Sequence, residues 1–255
     1  MYRPNHLDVI LIGTGNLAYS LAQIFKSHAM INLKGIYSKS PKTLNDFPFE
    51  VNPLNELKDD ADIIILAVSD NAISEVSTKL TDKKALIVHC SGGKPIQEIQ
   101  CPNRGVWYPP ISFSKGLTVD FKNCSFCLEA TNTEHLLLLQ KLSELIGASW
   151  NIMDSEKRLK LHTAAVFANN FTNQIWTMTE EYCERNNINF ELLHPLIKEG
   201  TEKALAMGPK KAQTGPALRN DHETLKRHLE LLSPKEADFY KIMTQLIQDT
   251  HGTQL

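Results

Sequence analysis

A short glycine-rich motif near the N-terminus has the residue types and spacing of a phosphate-binding turn. It lies between the apolar run Leu7–Ile12 and the amphipathic stretch Asn16–Ser27, and it reads Gly13-Thr14-Gly15-Asn16-Leu17-Ala18. Gly13 permits a tight turn, Gly15 lets the backbone approach a pyrophosphate, and Ala18 lets strand and helix pack closely. Free amides at the start of the following helix would bind the anion. We therefore predict that these six residues bind a dinucleotide, against the alternative of a tight turn without a ligand.

The end of the second predicted strand indicates which dinucleotide the turn would bind. NAD-binding domains carry Asp or Glu about 20 residues past the turn, where the carboxylate binds the ribose 2′-hydroxyl. This chain has Ser38, Lys39 and Ser40 there, and two hydroxyls with an ammonium group suit a phosphate. We predict NADP (NADPH) rather than NAD as the cofactor. The alternative is a solvated loop with an incidental lysine.

Two further predicted strands end in small residues that would flank the same ligand. Val68 and Ser69 end one buried apolar run, and Ser91 and Gly92 follow the next. Ligands of open parallel sheets bind at the carboxyl ends of the strands. We therefore predict that these four residues lie beside the ribose and nicotinamide. We expect Asp70, by contrast, to cap the helical stretch 71–80.

A polar stripe on a long predicted helix is the candidate catalytic site. With about 100° per residue, His162, Asn169 and Asn173 fall within a stripe about 60° wide, with Asn170 at its edge. Buried polar groups on this otherwise apolar surface would need a ligand or one another as partners. We predict that His162 donates a proton, that Asn169 and Asn173 orient the substrate, and that Asn170 contacts it. The alternative is a set of polar contacts across a helix or dimer seam.

A loop with Gly-Pro pairs later in the chain is a second candidate for substrate binding. Thr214 and Gly215 begin its central part, and Arg219 supplies a guanidinium group that would hold an anionic substrate. We predict substrate contacts from these three residues. An equally weighted alternative is a plain turn in which Asp221 caps the next helix.

The elements that must position these residues follow from the pattern of apolar runs. Through residues 1–153, short apolar runs alternate with helical stretches, which predicts right-handed crossovers and a doubly wound parallel sheet of the Rossmann type. Beyond the boundary near Met153, Asp154 marks the start of a helix over about 155–185. Ser233-Pro234-Lys235-Glu236 is a capping box that begins the last helix. We predict an α/β fold whose C-terminal domain, 154–255, is all α.

Charge, apolar runs and cysteine usage exclude several classes of protein. The 255 residues include 27 basic and 29 acidic side chains without a basic run, which argues against a nucleic-acid partner. No apolar run approaches the roughly 18 residues of a membrane span. The five cysteines are scattered, and no second CxxC or His pair completes a metal site. We expect a reduced cytoplasmic protein with a small-molecule substrate and no metal. Because the long helix is apolar around much of its circumference, we also expect a homodimer through the C-terminal helices.

The motifs resemble, in type and order, those of a known Rossmann-like family whose C-terminal half is domain of unknown function 2520. They are the GxGNLA turn at Gly13, Val68-Ser69-Asp70, His89-Cys90-Ser91-Gly92, Tyr108-Pro109, His162-Thr163-Ala164-Ala165, Asn169-Asn170 with Asn173, Thr214-Gly215-Pro216 through Arg219 and Asp221, and His228-Leu229. The resemblance covers nearly the whole chain. It implies a fold related to pyrroline-5-carboxylate reductase, ketopantoate reductase and the 6-phosphogluconate dehydrogenase-like group. It also implies NADP-dependent oxidoreductase chemistry and a helical domain that often dimerises.

One departure from the wider group bears on the substrate. Its hydroxyacid dehydrogenases carry a Lys followed four residues later by Asn on this helix, whereas here Lys160 is followed by Ala164. The chain is therefore expected to reduce a small carbonyl or imine rather than act on a hydroxyacid. Two alternatives are a protein that binds NADP without turnover and an NADP oxidoreductase linked to a flavin or deazaflavin.

Overall fold

A computed structural model describes residues 6–39, 47–58, 60–114 and 119–252 of the chain. Contacts divide the chain into two units, Met1–Asn173 and Gln174–Leu255. The boundary near Met153 that the sequence suggests stays a prediction. Ser40, one of the predicted cofactor residues, lies outside the described residues.

The apolar runs of the first unit form an eight-stranded sheet in the order β3-β2-β1-β4-β5-β6-β7-β8. Its strands are β1 (Leu7–Ile12), β2 (Ile31–Ser38), β3 (Asn52–Pro53), β4 (Ile63–Leu66), β5 (Leu86–His89), β6 (Arg104–Tyr108), β7 (Ser125–Ala130) and β8 (Ser149–Ile152). The change of direction beside β1 is the doubly wound arrangement, so the predicted fold class is confirmed.

One pair of strands departs from the all-parallel expectation. Strand β7 runs antiparallel to β6, while the other neighbouring strands described are parallel. A parallel neighbour needs a crossover that is usually an α-helix. The described part of the β6–β7 connection contains only a short 3₁₀ turn, Phe121–Asn123, and no α-helix. The sheet is therefore mixed at this side.

The central strands are buried on both faces, as their continuous apolar sequences predict. Val9 and Ile63 pack into the core on one face, and Ile10 and Ile64 pack into the core on the other. All four side chains are fully buried. This rigid centre holds the carboxyl ends of β1, β4 and β5 side by side.

The helices of the first unit are α1 (Asn16–Ser27), α2 (Ile73–Ser77), α3 (Thr133–Leu145) and α4 (Ser155–Ala165). The Asp154 side chain caps α4 by accepting a hydrogen bond from the Lys157 amide at 2.7 Å. A π-helical turn, Val166–Phe171, follows α4. The expected single helix over 155–185 is thus helical but irregular in the middle. The expected helix over 71–80 is α-helical only in α2.

The remaining helices are α5 (Thr172–Arg185), α6 (His194–Met207), α7 (Pro209–Ala212), α8 (His222–Glu230) and α9 (Pro234–His251). The capping box predicted at Ser233 and Glu236 is present and begins α9. No residue of α6 or α9 is buried. Among the described helices, none is long and apolar enough to cross a membrane.

Candidate functional site

A cleft of about 430 Å³ opens at the carboxyl ends of β1, β2 and β4. The predicted cofactor residues that line it are Gly13, Thr14, Gly15, Asn16, Leu17, Ser38, Lys39, Val68 and Ser69. Ala18 lies beneath it, fully buried against the sheet. Ser91 and Gly92 lie at the end of β5 and are not part of the cleft lining. The structure thus brings most of the predicted cofactor residues together in one concave place.

The two glycines of the turn have different physical roles. Gly13 has a φ of +128°, and a Cβ atom there would lie 2.1 Å from the carbonyl oxygen of Ala67. Only glycine fits this close approach between the end of β1 and the residue after β4. At Gly15, a Cβ atom would meet nothing within 4 Å. Packing therefore does not require glycine at this position, and the lack of a side chain at Gly15 instead keeps the cleft open.

The beginning of α1 presents unpaired amides to this cleft. Gly15 is the N-cap residue, no side chain caps the helix there, and its first turn contains no acidic residue. The first amides of a helix lack partners within the helix and carry its positive dipole end. Together with the open space at Gly15, they form a favourable environment for a phosphate anion.

Lys39, at the other side of the cleft, forms an ion pair with Glu75 of α2. The hydrogen bond and charge of Lys39 lower the pKa of the exposed Glu75 carboxyl. The Lys39 ammonium is thereby held over the rim of the cleft next to Ser38. A phosphate at this rim would share the ammonium with Glu75.

At the ends of β5 and β6, His162 and Tyr108 form a hydrogen-bonded pair. The Tyr108 hydroxyl lies 3.2 Å from His162 Nδ1, and the two rings meet edge to face with centroids 6.0 Å apart. Tyr108 is 8% exposed, and burial raises the pKa of its phenol. A Cβ atom at Gly92 would come within 2.8 Å of the Tyr108 ring and of His162 Nδ1. The β5–β6 loop therefore packs directly against this pair.

The opposite edge of the His162 ring faces Gly93 and Asp70. A Cβ atom at Gly93 would lie 4.0 Å from His162 Nε2 and 3.7 Å from the Asp70 carboxylate. The expectation that Asp70 caps a helix is wrong. Asp70 is the first residue of a short 3₁₀ turn, Asp70–Ala72, and the N-cap residue of that turn is Ser69. The Asp70 carboxylate is exposed and lies on the same side of the loop as Nε2.

A buried histidine braces the loop that carries Gly92. His89 Nδ1 accepts a hydrogen bond from the Ser91 amide, so Nε2 carries the proton and faces the Pro95 carbonyl at 3.3 Å. Burial, with the charge of Arg158, lowers the pKa of His89 to about 4. The Ser91 hydroxyl accepts from the amides of Gly93 and Lys94 at 3.1 Å each. The hydrogen bonds of Ser91 therefore stabilise the loop itself, and its contact with the cofactor stays a prediction.

Arg158 anchors the helix that carries His162. Its guanidinium is fully buried and pairs with Glu129 of β7, and it also donates to the Lys94 carbonyl at 2.7 Å. The Ser155 hydroxyl donates to Glu129 and accepts a hydrogen bond from the Ile96 amide. Removing one partner of such a buried pair typically costs about 3–5 kcal/mol. Since His162 lies one turn after Arg158, this cluster sets its place above the β5–β6 loop.

The structure does not support the regular stripe assumed for the asparagines. Asn169 and Asn170 lie in the π-helical turn and Asn173 follows it, and all three are exposed. A π-helical turn contains one residue more than an α-helical turn and so shifts the following side chains by about 100°. A face shared by His162 and Asn173 stays a prediction.

Thr214, Gly215 and Arg219 lie in the second unit, in the turn between α7 and α8. The expected cap is present there, because Asp221 accepts a hydrogen bond from the Thr224 amide at 3.1 Å. Arg219 is exposed. Its predicted contact with a substrate stays a prediction.

The sequence predicts no role in the site for Tyr108, His89 or Arg158, although His89 and Tyr108 stand in the motifs that carry the family resemblance. Tyr108 is the last residue of β6, so the rule that ligands bind at the carboxyl ends of parallel strands could have identified it. Arg158 lies four residues before His162 on the predicted helix. Its burial depends on Glu129 and Lys94, which no local pattern connects to it.

Comparisons with known proteins agree with this architecture. The family model "Domain of unknown function (DUF2520)" matches residues 124–247. A candidate NADP oxidoreductase from Bacteroides fragilis has 32% sequence identity and a TM-score of 0.86, with 96% of this chain and 99% of that one covered. The chain belongs to the DUF2520 family. No curated protein matches it.

More distant structures share the fold of this DUF2520 member. Protein TM1727 from Thermotoga maritima has 22% identity and a TM-score of 0.73, covering 95% of this chain and 98% of that one. Pyrroline carboxylate reductase from Plasmodium falciparum, solved with NADP bound, has 13% identity and a TM-score of 0.64. That comparison covers 97% of this chain and 99% of the reductase.

Proposed function

We propose that this protein is an NADPH-dependent reductase of a small carbonyl or imine compound. One observation carries the proposal. The cleft beside the glycine turn and the His162–Tyr108 pair lie at the same edge of one sheet, at the carboxyl ends of neighbouring strands. This is the edge at which open parallel sheets bind their ligands.

The cleft residues fit NADPH in shape and charge. The amides of α1 and the open space at Gly15 would receive the pyrophosphate. Lys39 and Ser38 would bind the 2′-phosphate, with Lys39 exchanging part of its pairing with Glu75 for the ligand. The description of the Bacteroides fragilis relative as a candidate NADP oxidoreductase supports this choice of cofactor.

The chemistry needs a hydride and a proton. Bound NADPH would supply the hydride to the carbon of a C=O or C=N bond, being oxidised to NADP⁺. His162 supplies the proton from Nε2 to the oxygen or nitrogen, so that the product is an alcohol or an amine. Asn169 and Asn173 would orient the substrate, and Asn170, Thr214, Gly215 and Arg219 would contribute contacts to it.

A screen of small carbonyl and imine compounds that follows NADPH consumption tests the proposal. With a substrate identified, His162→Ala should lower turnover by about a hundredfold or more while NADPH affinity stays constant. Asn169→Ala should raise KM as well as slow turnover. A matched control is His228→Ala in the second unit, which should leave turnover unchanged. NADPH binding without any turnover in the screen, or full activity in folded His162→Ala, would contradict a reductase of this mechanism.

We extend the proposal to a homodimer formed by the C-terminal helices. Apolar side chains on α6 and α9 are strongly exposed, with Leu196 at 64%, Leu205 at 83% and Ile242 at 59%. Amphipathic helices normally bury such a stripe, and a second copy related by a two-fold axis is the commonest cover. Light scattering should give twice the mass of one chain, and Leu205→Glu should shift the population towards monomer. A monomer at micromolar concentration would contradict the dimer.

A further inference from the structure

The pairing of Tyr108 with His162 determines which imidazole nitrogen faces the site. Nδ1 lies next to the Tyr108 hydroxyl, whereas Nε2 lies on the side of Gly93 and Asp70. A half-turn of the imidazole about its Cβ–Cγ bond would put Cδ2 in the place of Nδ1 and Cε1 in the place of Nε2. The hydrogen bond to Nδ1 opposes that half-turn, because the turned ring would place a carbon opposite the phenol.

The hydrogen bond can persist in both charge states of His162. The phenol has one proton and two lone pairs. With a neutral imidazole, the Tyr108 O–H donates to Nδ1, so the imidazole proton lies on Nε2. With an imidazolium, the Nδ1–H donates to the Tyr108 oxygen instead. In both states, before any proton is transferred, Nε2 carries a proton towards the Gly93 side.

Tyr108 is not suited to be the source of the transferred proton. A relay in which its O–H proton moved to Nδ1 would leave a phenolate. Tyr108 lies among the buried side chains of Ile96, Val106 and Cys127, and burial disfavours that charged form. The proton that leaves must therefore be the one on Nε2 of the imidazolium. Directly after the transfer the ring is the neutral Nδ1–H tautomer, whose Nδ1–H donates to the Tyr108 oxygen until Nε2 regains a proton.

We propose that Tyr108 is a positioning residue that holds His162 with Nε2 directed at the substrate. This inference rests on the proposed function of His162 as proton donor. It adds that the donor nitrogen is Nε2 and that a residue 54 positions away in the sequence selects it. The β5–β6 loop contributes through the lack of a side chain at Gly92, because a Cβ atom there would lie 2.7 Å from the Tyr108 ring and 2.8 Å from His162 Nδ1 and so disturb the pair.

Tyr108→Phe tests the proposal because it removes one hydroxyl and keeps the ring. We expect turnover to fall about tenfold, the effect of one lost hydrogen bond to a reacting group, with NADPH affinity and melting temperature nearly unchanged. NMR of the imidazole nitrogens should show a proton on Nε2 of neutral His162 in the wild type and mixed tautomers in Tyr108→Phe. Gly92→Ala, which forces the same rings apart, should give the same NMR change.

A double-mutant cycle separates a role through His162 from any other role of Tyr108. In a His162→Ala background, Tyr108→Phe should cause no further loss of turnover. A further loss would overturn the proposal, as would an unchanged His162 tautomer in Tyr108→Phe.

The second unit offers a matched control for the same pair of residue types. Tyr240 and His228 Nδ1 are 2.8 Å apart, with their rings edge to face. Tyr240→Phe should change the His228 signals and leave those of His162, and turnover, unchanged. Because the NMR readout needs no substrate, it decides the role of Tyr108 even if the screen finds no turnover. The absence of turnover would instead contradict the proposed function.

Discussion

Gly15→Asp should distinguish the contribution of Gly15 to stability from its proposed role in binding NADPH. The substitution is expected to raise the stability of the ligand-free protein and to weaken NADPH binding. A Cβ atom at Gly15 has open space, and the residue is the N-cap of α1 with φ of −80°. Asp is preferred over Gly at this position, and its charge is favourable at the helix N-terminus. We therefore expect the ligand-free variant to be more stable by about 0.5–1 kcal/mol, which raises Tm by about 1–4 °C.

The same carboxylate would oppose the pyrophosphate. Two unit charges about 4 Å apart repel by about 2–4 kcal/mol at effective dielectric constants of about 20–40. That energy weakens binding by about thirtyfold to a thousandfold. Titration calorimetry with NADPH measures the loss, and thermal melting without ligand measures the stability of the same samples.

The control for Gly15→Asp is Gly200→Asp in α6. A Cβ atom at Gly200 also meets nothing within 4 Å, so the substitution adds the same charge without a clash. NADPH affinity should stay at the wild-type value in this control. If Gly15→Asp binds NADPH within threefold of the wild type, the glycine turn is not the pyrophosphate site. If it melts several degrees lower, the loss of binding reflects damage to the fold.

Three further predictions follow from single contacts. Gly13→Ala should cost about 3 kcal/mol or more, because its Cβ would lie 2.1 Å from the Ala67 carbonyl oxygen at a φ of +128°; an unchanged urea midpoint would contradict this. Lys39→Ala should weaken NADPH binding by about tenfold or more and leave NADH binding unchanged; equal losses for both cofactors would remove Lys39 from the 2′-phosphate site. Burial lowers the pKa of His89 from 6.5 to about 4. Between these two pH values the unfolded chain therefore binds a proton on His89 that the native protein does not bind. The stability from His89 is thus full above pH 6.5 and declines by up to about 3 kcal/mol as the pH falls towards 4, and melting of His89→Gln should depend less on pH there.

The parts of the site that the sequence predicts are those built from neighbouring residues. The glycine turn is contiguous, and its function depends on backbone geometry that glycine spacing encodes directly. Asp154 and the capping box at Ser233 are equally local, because a cap bonds amides two or three residues away. Buried strands such as β4 are recognisable from their composition alone, since both faces must be apolar.

The contacts that the sequence does not predict join residues far apart in the chain. Tyr108 and His162 are 54 residues apart, and Arg158 is 64 residues from its partner Lys94. Each pair exists only because strand order brings the ends of β5 and β6 under α4. The antiparallel direction of β7 also depends on strand order rather than on neighbouring residues. The lack of a helical pattern between β6 and β7 could nevertheless have indicated it.

The π-helical turn explains why a pattern of residues on a helix is weaker evidence than a pattern in a turn. A stripe calculated for His162, Asn169 and Asn173 assumes one rotation per residue, and one wide turn between them breaks that assumption. Such turns give up α-helical hydrogen bonds and often occur at functional sites. Val166–Phe171 contains the two adjacent asparagines and begins four residues after His162. The irregularity thus lies in the part of the helix for which we propose substrate contacts, while the anchored part, held by Arg158, is regular α-helix. A regular segment that holds the proposed proton donor, His162, is followed by an irregular segment whose exposed side-chain amides could contact a substrate.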